Sequence, residues 1–187
     1  QLQNGEDVIL KVRRPGIERT MQTDFAIIML LSKQVERMSQ EIRYIGITRM
    51  VDDFASTLQN ELNFNVEALN CDRLKQISAK HDPNGSFYIP KVYRELTREN
   101  ILVAEFLKGT KFSDHLSMNQ KRDKVLPLLD SGVEVFVKTF LADGFFHADL
   151  HGGNLFLLED EKRIGVVDFG LVGSLGKRGR QSFIAIV

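Results

Sequence analysis

Two short polar motifs, separated by a mostly apolar stretch, constrain the fold of this chain more than any other feature. The first occupies residues 147–154 (His-Ala-Asp-Leu-His-Gly-Gly-Asn) and the second residues 168–170 (Asp-Phe-Gly). Between them, the apolar segments 155–158 and 164–167 flank a charged turn at 159–163, which predicts two short antiparallel strands. Such a hairpin returns the second motif to the loop formed by the first.

The polar side chains of these motifs are the kinds that a phosphoryl-transfer site needs. Such a site uses a carboxylate to orient the proton of the acceptor, and hard oxygen ligands to hold Mg²⁺ against the phosphates. We assign Asp149 to the first role, and Asn154 and Asp168 to the second. Either motif alone is a weak signal, because Asp-x-Gly often only caps a turn. The two motifs in this order, with a hairpin between them, make a strong signal.

The composition is that of an ordinary soluble globular protein, with 43% hydrophobic and 27% charged residues. The 25 Lys and Arg residues balance the 25 Asp and Glu residues, so no net field argues for nucleic acid as a partner. The single cysteine, Cys71, excludes an intrachain disulfide and fits a reducing compartment. The longest strongly apolar run, Phe25 to Leu31, is too short to span a bilayer.

The N-terminal segment predicts a strand that carries a lysine. Asn4-Gly5 is typical of a hairpin turn, and residues 8–12 form the second strand of that hairpin. Lys11 stands among apolar β-formers, where its ammonium is costly to bury unless it meets a carboxylate or a phosphate. An edge-strand lysine in water is the alternative that these residues leave open.

Helical spacing of apolar residues predicts an amphipathic helix from Ile17 to about Tyr44, and a second helix from about Arg49 to Lys80. A polar row follows the second helix: Asn60, Asn63, Glu67 and Asn70. Such a row is most simply the wet face of a helix. In the functional alternative, Glu67 reaches Lys11 and holds its ammonium toward a phosphate, while Glu61 lies near the metal or the phosphates.

The middle of the chain predicts a small sheet and a connector. Residues 92–96 and 101–106 are expected to form an antiparallel pair. The segment 104–109 then leaves the strand for a loop, where backbone groups could meet an adenine edge. Residues 121–143 predict a buried helix that ends at Gly144, just before the first motif.

Together, these residues resemble the set that protein kinases use. The set comprises Lys11 within Val-Ile-Leu-Lys, Glu67 on a following helix, His-x-Asp-x-x-x-x-Asn and Asp-Phe-Gly.

More narrowly, the chain is similar to the UbiB family of atypical kinase-like ATPases, which are linked to ubiquinone biosynthesis. The stretches that carry this resemblance are Lys-Val-Arg-Arg-Pro-Gly-Ile at 11–17, Glu-Leu-Asn-Phe-Asn-Val-Glu-Ala at 61–68 and Gly-Phe-Phe-His-Ala-Asp-Leu-His-Gly-Gly-Asn at 144–154. The similarity covers essentially the whole chain. The Arg-Pro-Gly after the lysine distinguishes this family from ordinary kinases.

The resemblance implies an α+β, protein-kinase-like two-lobe fold that is truncated at both ends, with residues 1–187 as a single partial domain. Residues 1–106 would form the N-terminal lobe, a small antiparallel sheet with long helices inserted at 17–80. Residues 107–187 would begin the helical C-terminal lobe and carry both motifs. Because the chain starts just before the lysine strand, we expect it to lack the Ala-rich nucleotide loop and the Lys-x-Gly-Gln segment of the family.

The resemblance also implies ATP and Mg²⁺ as cofactors and assigns roles to individual residues. Lys11 would contact the nucleotide phosphates and pair with Glu67, Asp149 would be the catalytic-loop carboxylate, Asn154 and Asp168 would bind Mg²⁺, and Glu105, Phe106 and Leu107 would form the adenine-side hinge. Glu61 would open the Glu-x-Asp motif of the family. The third residue of that motif is Asn63 here, so one charge expected near the phosphates is missing.

The function that the resemblance implies is an ATP- and Mg²⁺-dependent atypical kinase or ATPase that supports ubiquinone biosynthesis. The expected partners are ATP and a quinone-precursor lipid at a membrane surface, without nucleic acid. The expected location is the cytoplasmic side of a bacterial membrane, or a mitochondrion or plastid.

Two alternatives stay open. One is a nucleotide-binding pseudokinase scaffold that does no chemistry. The other is a small-molecule phosphotransferase of the aminoglycoside or choline kinase type, whose loop also reads His-x-Asp-x-x-x-x-Asn. The Phe169-Gly170 pair after Asp168 and the Arg-Pro-Gly after Lys11 argue against this second alternative.

Overall fold

Groups of helices and groups of short strands follow one another along the chain. The computed structural model describes residues 1–160 and 162–185, and the side chains of residues 60, 61, 115, 116 and 184 lie outside this description. The strands are β1 (Val8–Val12), β2 (Phe87–Tyr88), β3 (Ile101–Glu105), β4 (Gly109–Lys111), β5 (Phe145–His147), β6 (Leu155–Leu158), β7 (Ile164–Val166) and β8 (Val172–Ser174). The helices are α1 (Ile17–Met38), α2 (Gln40–Ile45), α3 (Ile47–Glu61), α4 (Phe64–His81), α5 (His115–Gln120), α6 (Arg122–Lys138) and α7 (Lys177–Ile184). A π-helical turn, Thr139–Asp143, follows α6, and the whole is the predicted α+β class.

An antiparallel ladder of β1 and β3 carries the predicted lysine. Lys11 lies opposite Leu102, and Ile9 lies opposite Ala104. Cross-strand partners share a face of the sheet, as do alternate residues of one strand. These four side chains therefore point to the same side of the ladder.

The hairpin between the two motifs forms as predicted. β6 and β7 pair antiparallel, within a sheet of order β2-β7-β6-β4. Leu157, Ile164 and Val166 are each only 1% exposed, so the hairpin is anchored in the core. At its end, the Val167 amide donates to the carbonyl of Asn154 over 2.9 Å, which brings the two motifs side by side.

Both long predicted helices are broken. The first ends at Met38, and Ser39 then caps α2 by accepting a hydrogen bond from the Ile42 amide. The second is divided into α3 and α4, where Asn63 Oδ1 accepts from the Asn65 amide over 3.0 Å and caps α4. Capping by a serine or asparagine side chain satisfies amides that have no partner in the first turn of a helix.

Two predicted strands are wrong. Before β1, the Gly5 amide donates to the Leu2 carbonyl, so the described residues there form a turn and not a first strand. In 92–96, only Val92 bridges to β3, opposite Ala104. The chain curls immediately afterwards, because the amides of Leu96 and Thr97 both donate to the Tyr93 carbonyl.

Helix α4 supplies the largest share of the core. Its buried residues Phe64, Ala68, Cys71, Leu74 and Ile77 form one cluster with Leu102 and Ala104 of β3 and with Phe145, Val166 and Phe169 near the two motifs. Burial of this size fixes α4 against both the ladder and the residues of the two motifs. Among the described residues, none of the helices combines the length and apolarity that crossing a membrane requires.

Candidate active site

The ammonium of Lys11 lies between two carboxylates. Its Nζ atom is 3.0 Å from both carboxylate oxygens of Glu67 and 3.1 Å from Oδ1 of Asp168. The Glu67 side chain is only 5% exposed, which excludes the wet-face interpretation of the polar row for this residue. The Lys11 ammonium thus joins strand β1 to helix α4 and to the end of the hairpin. This agrees with the functional interpretation of the polar row, in which Glu67 reaches Lys11.

The charges of this triad depend on one another. Burial is the main cause that raises the pKa of Glu67, and the Lys11 charge opposes it. Burial would lower the pKa of Lys11, but the charges of Glu67 and Asp168 outweigh it and leave that pKa raised. Burial likewise opposes the charge of Asp168, yet Lys11 holds the pKa of that carboxyl below its ordinary value. Lys11 and Asp168 are therefore held in their charged forms.

Helix α4 also positions the second motif. The Phe169 amide donates to Glu67 Oε1 over 3.3 Å, and Asn70 Nδ2 donates to the Phe169 carbonyl over 3.1 Å. Asp168 adopts a left-handed backbone with φ 66°, which few residues other than glycine do. The role of Asn70 was not predicted, although its spacing of three residues from Glu67 places both side chains on one face of the helix.

His147 fixes the geometry between the two motifs. Its Nε2 atom lies 2.6 Å from the Asp168 carbonyl, and its Nδ1 atom accepts from the Asp149 amide over 3.1 Å. The ring is therefore neutral, with its proton on Nε2, and the residue is only 4% exposed. No role for His147 was predicted, because a motif that names the residue does not show which groups it contacts.

We expect the free energy of unfolding to fall as the pH drops below about 6.5, with His147 as one cause. Burial lowers the pKa of His147 below its ordinary 6.5, so the unfolded chain takes up a proton that the folded chain excludes. The stabilisation that neutral His147 contributes is complete above the pKa that this residue has in the unfolded chain. It is lost as the pH falls from there through the lower pKa of the folded chain. One proton gives a slope of at most about 1.4 kcal/mol per pH unit.

Chemical denaturation between about pH 7 and about pH 5 measures this slope. His147→Gln keeps a donor and an acceptor but does not titrate, so its slope should be shallower than that of the wild-type chain. Equal slopes in the two proteins would show that His147 does not contribute.

The loop between His147 and β6 presents its polar side chains to solvent. The Asp149 and His151 side chains are 58% and 57% exposed, with His151 Nε2 3.7 Å from Asp149 Oδ2. Asn154 Nδ2 donates to the Asp149 carbonyl over 3.2 Å. Because this bond uses the amide nitrogen within the loop, Asn154 Oδ1 is the atom that suits a metal ion.

The residues predicted to hold Mg²⁺ fit that ion. The backbone bond between Val167 and Asn154 places Asn154 next to the segment that ends in Asp168. Mg²⁺ prefers oxygen ligands and is commonly held by one or two protein side chains together with substrate phosphates and water. In the part of the chain that the structure describes, no group of three or more His, Cys, Asp or Glu side chains is placed to hold a metal ion.

A cavity of about 730 Å³ opens beside this constellation, within the size range of small-ligand sites. Its lining includes Lys11, Glu67, Asn154 and Asp168 together with the predicted hinge residues Glu105, Phe106 and Leu107. Asp149 is not among the lining residues, so among the described residues the cavity meets both predicted metal ligands but not the predicted catalytic carboxylate.

Glu105 of the predicted hinge is held by a contact that was not predicted. The Tyr88 hydroxyl donates to both carboxylate oxygens of Glu105 over 2.8 and 2.9 Å, and the Lys91 amide donates to Oε2 over 3.0 Å. Tyr88 belongs to β2, which pairs with β7, whereas Glu105 ends β3. The bond between Tyr88 and Glu105 thus joins the two sheets. No local sequence signal indicates a contact between residues 17 positions apart.

The structure describes the first and third residues of the predicted Glu-x-Asp motif to different extents. Glu61 ends α3, but its side chain lies outside the described residues, and its predicted role near the nucleotide stays a prediction. Asn63, which stands where the motif has an aspartate, caps α4 four residues before the buried Glu67.

Three features define a kinase-like fold. They are a strand lysine paired with a helix glutamate, a loop that carries an aspartate and an asparagine, and Asp-Phe-Gly after a hairpin. The chain belongs to the ABC1 atypical kinase-like family, whose domain model matches residues 1–187.

Curated relatives confirm the predicted resemblance to UbiB proteins. A probable protein kinase UbiB of Pseudomonas entomophila is 34% identical over 178 residues, which are 94% of this chain and 33% of that relative. The protein of the same name from Pseudomonas aeruginosa PAO1 is 33% identical over 94% of this chain and 33% of its own length. The chain thus spans 33% of the length of these two relatives.

A solved structure supports the fold. The complex of Rv3197 with erythromycin from Mycobacterium tuberculosis aligns with a TM-score of 0.63, at 23% identity, over 92% of this chain and 41% of that chain. At this identity the likeness concerns the fold alone.

Proposed function

We propose that this chain is the nucleotide-binding part of an ATP- and Mg²⁺-dependent atypical kinase or ATPase. The observation that carries the proposal is the Lys11 ammonium, held by Glu67 and Asp168 at the wall of a ligand-sized cavity. A cation that is fixed in place before the ligand arrives stabilises phosphate charge without reorganisation during the reaction.

Each predicted residue other than Glu61 has a task in this proposal. Lys11 binds the phosphates, Glu67 orients its ammonium, and the 105–107 segment receives the adenine edge. Asp149, at the exposed loop, orients the acceptor and accepts its proton. Bound Mg²⁺, held by Asn154 and Asp168, would neutralise charge on the phosphates.

Nucleotide binding tests the proposal directly. Calorimetry of the complete protein should show that Mg²⁺ tightens the binding of ATP or ADP, and Asp168→Asn should reduce this metal effect by about tenfold or more, because an amide binds a hard cation more weakly than a carboxylate.

Asp160→Asn is the matched control. It makes the same side-chain change in the turn between β6 and β7, where Asp160 pairs with Arg163 outside the residues that line the cavity. This variant should retain the metal effect. Two results would contradict the assignment of Asp168 as a ligand of Mg²⁺. One is nucleotide binding by the wild-type protein that does not depend on Mg²⁺, and the other is a metal effect that remains in Asp168→Asn.

The proposal extends to the cellular role expected from the UbiB resemblance, which is support of ubiquinone biosynthesis with a quinone-precursor lipid at a membrane. Cells that lack the complete protein should have less ubiquinone, and the wild-type protein should restore it while Asp168→Asn does not. Sedimentation of the protein with lipid vesicles tests the membrane partner separately. Normal ubiquinone content in the deletion strain would refute this role but not nucleotide binding.

A further inference from the structure

Arg13 makes a second connection between the lysine strand and the start of α4. Its amide donates to the Asn100 carbonyl over 3.0 Å, which continues the ladder of β1 and β3 by one residue. Alternate residues of a strand point to the same side, so the Arg13 side chain lies on the side that carries Lys11. The Arg13 guanidinium donates to the Leu62 carbonyl over 2.9 Å, and the side chain is only 18% exposed. The lysine strand therefore holds the α4 region at two points.

The Leu62 carbonyl is a group that the break between α3 and α4 leaves without a helical partner. An uninterrupted helix would bond this carbonyl to the Val66 amide, but that amide donates to the Asn63 carbonyl instead. A backbone carbonyl inside a fold needs a donor, and Arg13 supplies it. Arg13 thus fixes the break itself, immediately before the residue that caps α4.

Two carboxylates hold the Arg13 guanidinium in place. Its Nη1 atom is 2.9 Å from Oε1 of Glu18, in the first turn of α1, and 3.7 Å from Oε1 of Glu99, in the turn before β3. A guanidinium is planar, stays charged and presents several donors in a fixed fork, so one side chain serves a carbonyl and carboxylates together. Arg13 therefore joins β1, α1 and the turn before β3 to the start of α4.

These contacts bear on Lys11 because α4 carries Glu67. The bond between Lys11 and Glu67 alone joins strand and helix at a single point, about which the helix would still be free to turn. The bond from Arg13 to Leu62, five residues before Glu67, adds a second point and fixes Glu67 relative to the strand. Misplacement of a positioned group by about 1 Å lowers its effect up to about 10²-fold, so small rotations of α4 matter.

We propose that Arg13 is a positioning residue for the nucleotide phosphates, which acts through Glu67 on the Lys11 ammonium. The inference rests on the proposed function, because Lys11 has phosphates to bind only if the cavity takes a nucleotide. Loss of the guanidinium weakens the binding of the phosphates but not that of the nucleoside. Adenosine has no phosphates for Lys11 to bind, so it separates this role from a general contribution of Arg13 to the fold.

The test compares the dissociation constants of ADP and adenosine in the complete protein with Mg²⁺. Calorimetry measures ADP directly and adenosine by competition with ADP. In Arg13→Gln, the affinity for ADP relative to adenosine should fall by about tenfold, and the ratio cancels any loss of folded protein. Arg19→Gln is the matched control, because it makes the same change at an exposed arginine of α1, and it should keep the wild-type ratio.

Two further variants sharpen the test. Arg13→Lys keeps the charge but not the fork, so it should shift the ratio in the same direction by a smaller factor, and it serves if the glutamine variant does not fold. In a protein that already carries Lys11→Met, Arg13→Gln should leave the ratio unchanged, because the group that Arg13 positions is gone.

The outcomes separate the inference from the proposed function. An unchanged ratio in both Arg13 variants would show that Arg13 only stabilises the fold, and would overturn the inference alone. An equal shift with and without Lys11→Met would mean that Arg13 acts on the phosphates by its own charge, which also overturns the positioning role. Wild-type protein that binds neither ADP nor adenosine would overturn the proposed function, and the inference with it.

Discussion

Replacement of Asp149 by asparagine should slow phosphate release from ATP by about 10²–10⁴-fold, the usual range for loss of a general base or acid. Asparagine preserves the size of the side chain and the backbone bonds of the loop, including the Asp149 amide bond to His147. It removes the negative charge that attracts the proton of the acceptor. Since Asp149 is exposed and does not line the cavity, nucleotide affinity should change by less than about threefold.

The measurement separates the turnover number for phosphate release from the dissociation constant of the Mg²⁺–nucleotide complex, in the complete protein. Asp160→Asn again supplies the matched control and should retain turnover. Full turnover by Asp149→Asn would contradict its role. Nucleotide binding by the wild-type protein without any phosphate release would favour the pseudokinase scaffold. Fast, saturable consumption of ATP with an amino sugar or choline would favour the small-molecule phosphotransferase.

The hairpin between the motifs could be predicted because its signals are local. Two apolar segments flank a charged turn, and each segment is short enough to read only as a strand. The motif spacing then placed Asn154 and Asp168 together, and the backbone bond from Val167 to Asn154 shows that the hairpin does so.

The break between α3 and α4 depends on contacts far along the chain. The Phe64 amide donates to the Glu99 carbonyl over 3.0 Å, and the Arg13 guanidinium donates to the Leu62 carbonyl over 2.9 Å. These partners satisfy backbone groups that an uninterrupted helix would satisfy internally. The apolar periodicity of the segment does not contain this information, although Asn63 before Phe64 is a recognisable helix cap.

The contacts around Lys11 also depend on parts of the chain that are distant in sequence. From the sequence, Glu67 fits a solvated helix face as well as an ion pair, because either requires only helical spacing. The packing of α4 across the ladder decides between them, since it buries Glu67 together with Ala68 and Cys71. Tyr88 was missed for a related reason, because only the assembled sheets bring its hydroxyl to Glu105.

Lys11→Met should lower the free energy of unfolding by about 2 kcal/mol, more than Glu67→Gln does. Loss of one partner from a fully buried ion pair costs about 3–5 kcal/mol, but Lys11 is 39% exposed, so solvent screening reduces the effect. Glu67→Gln costs about 1 kcal/mol, because it removes the buried charge itself while Lys11 keeps its bond to Asp168. The double variant should be more stable than the sum of the two losses predicts, since glutamine leaves no unpaired charge.

The pH dependence of the Lys11→Met loss identifies its cause. Without the ammonium, burial raises the pKa of Glu67 further above its ordinary 4.5. The folded state then holds a proton that the unfolded state has released, so stability falls as the pH rises through this range. The loss of stability caused by Lys11→Met should therefore be larger at about pH 8 than at about pH 5. In a protein that already carries Glu67→Gln, Lys11→Met should cost the same at both pH values. An equal loss at both values would mean that Lys11 stabilises the fold through the packing of its stem and not by compensating the buried carboxylate.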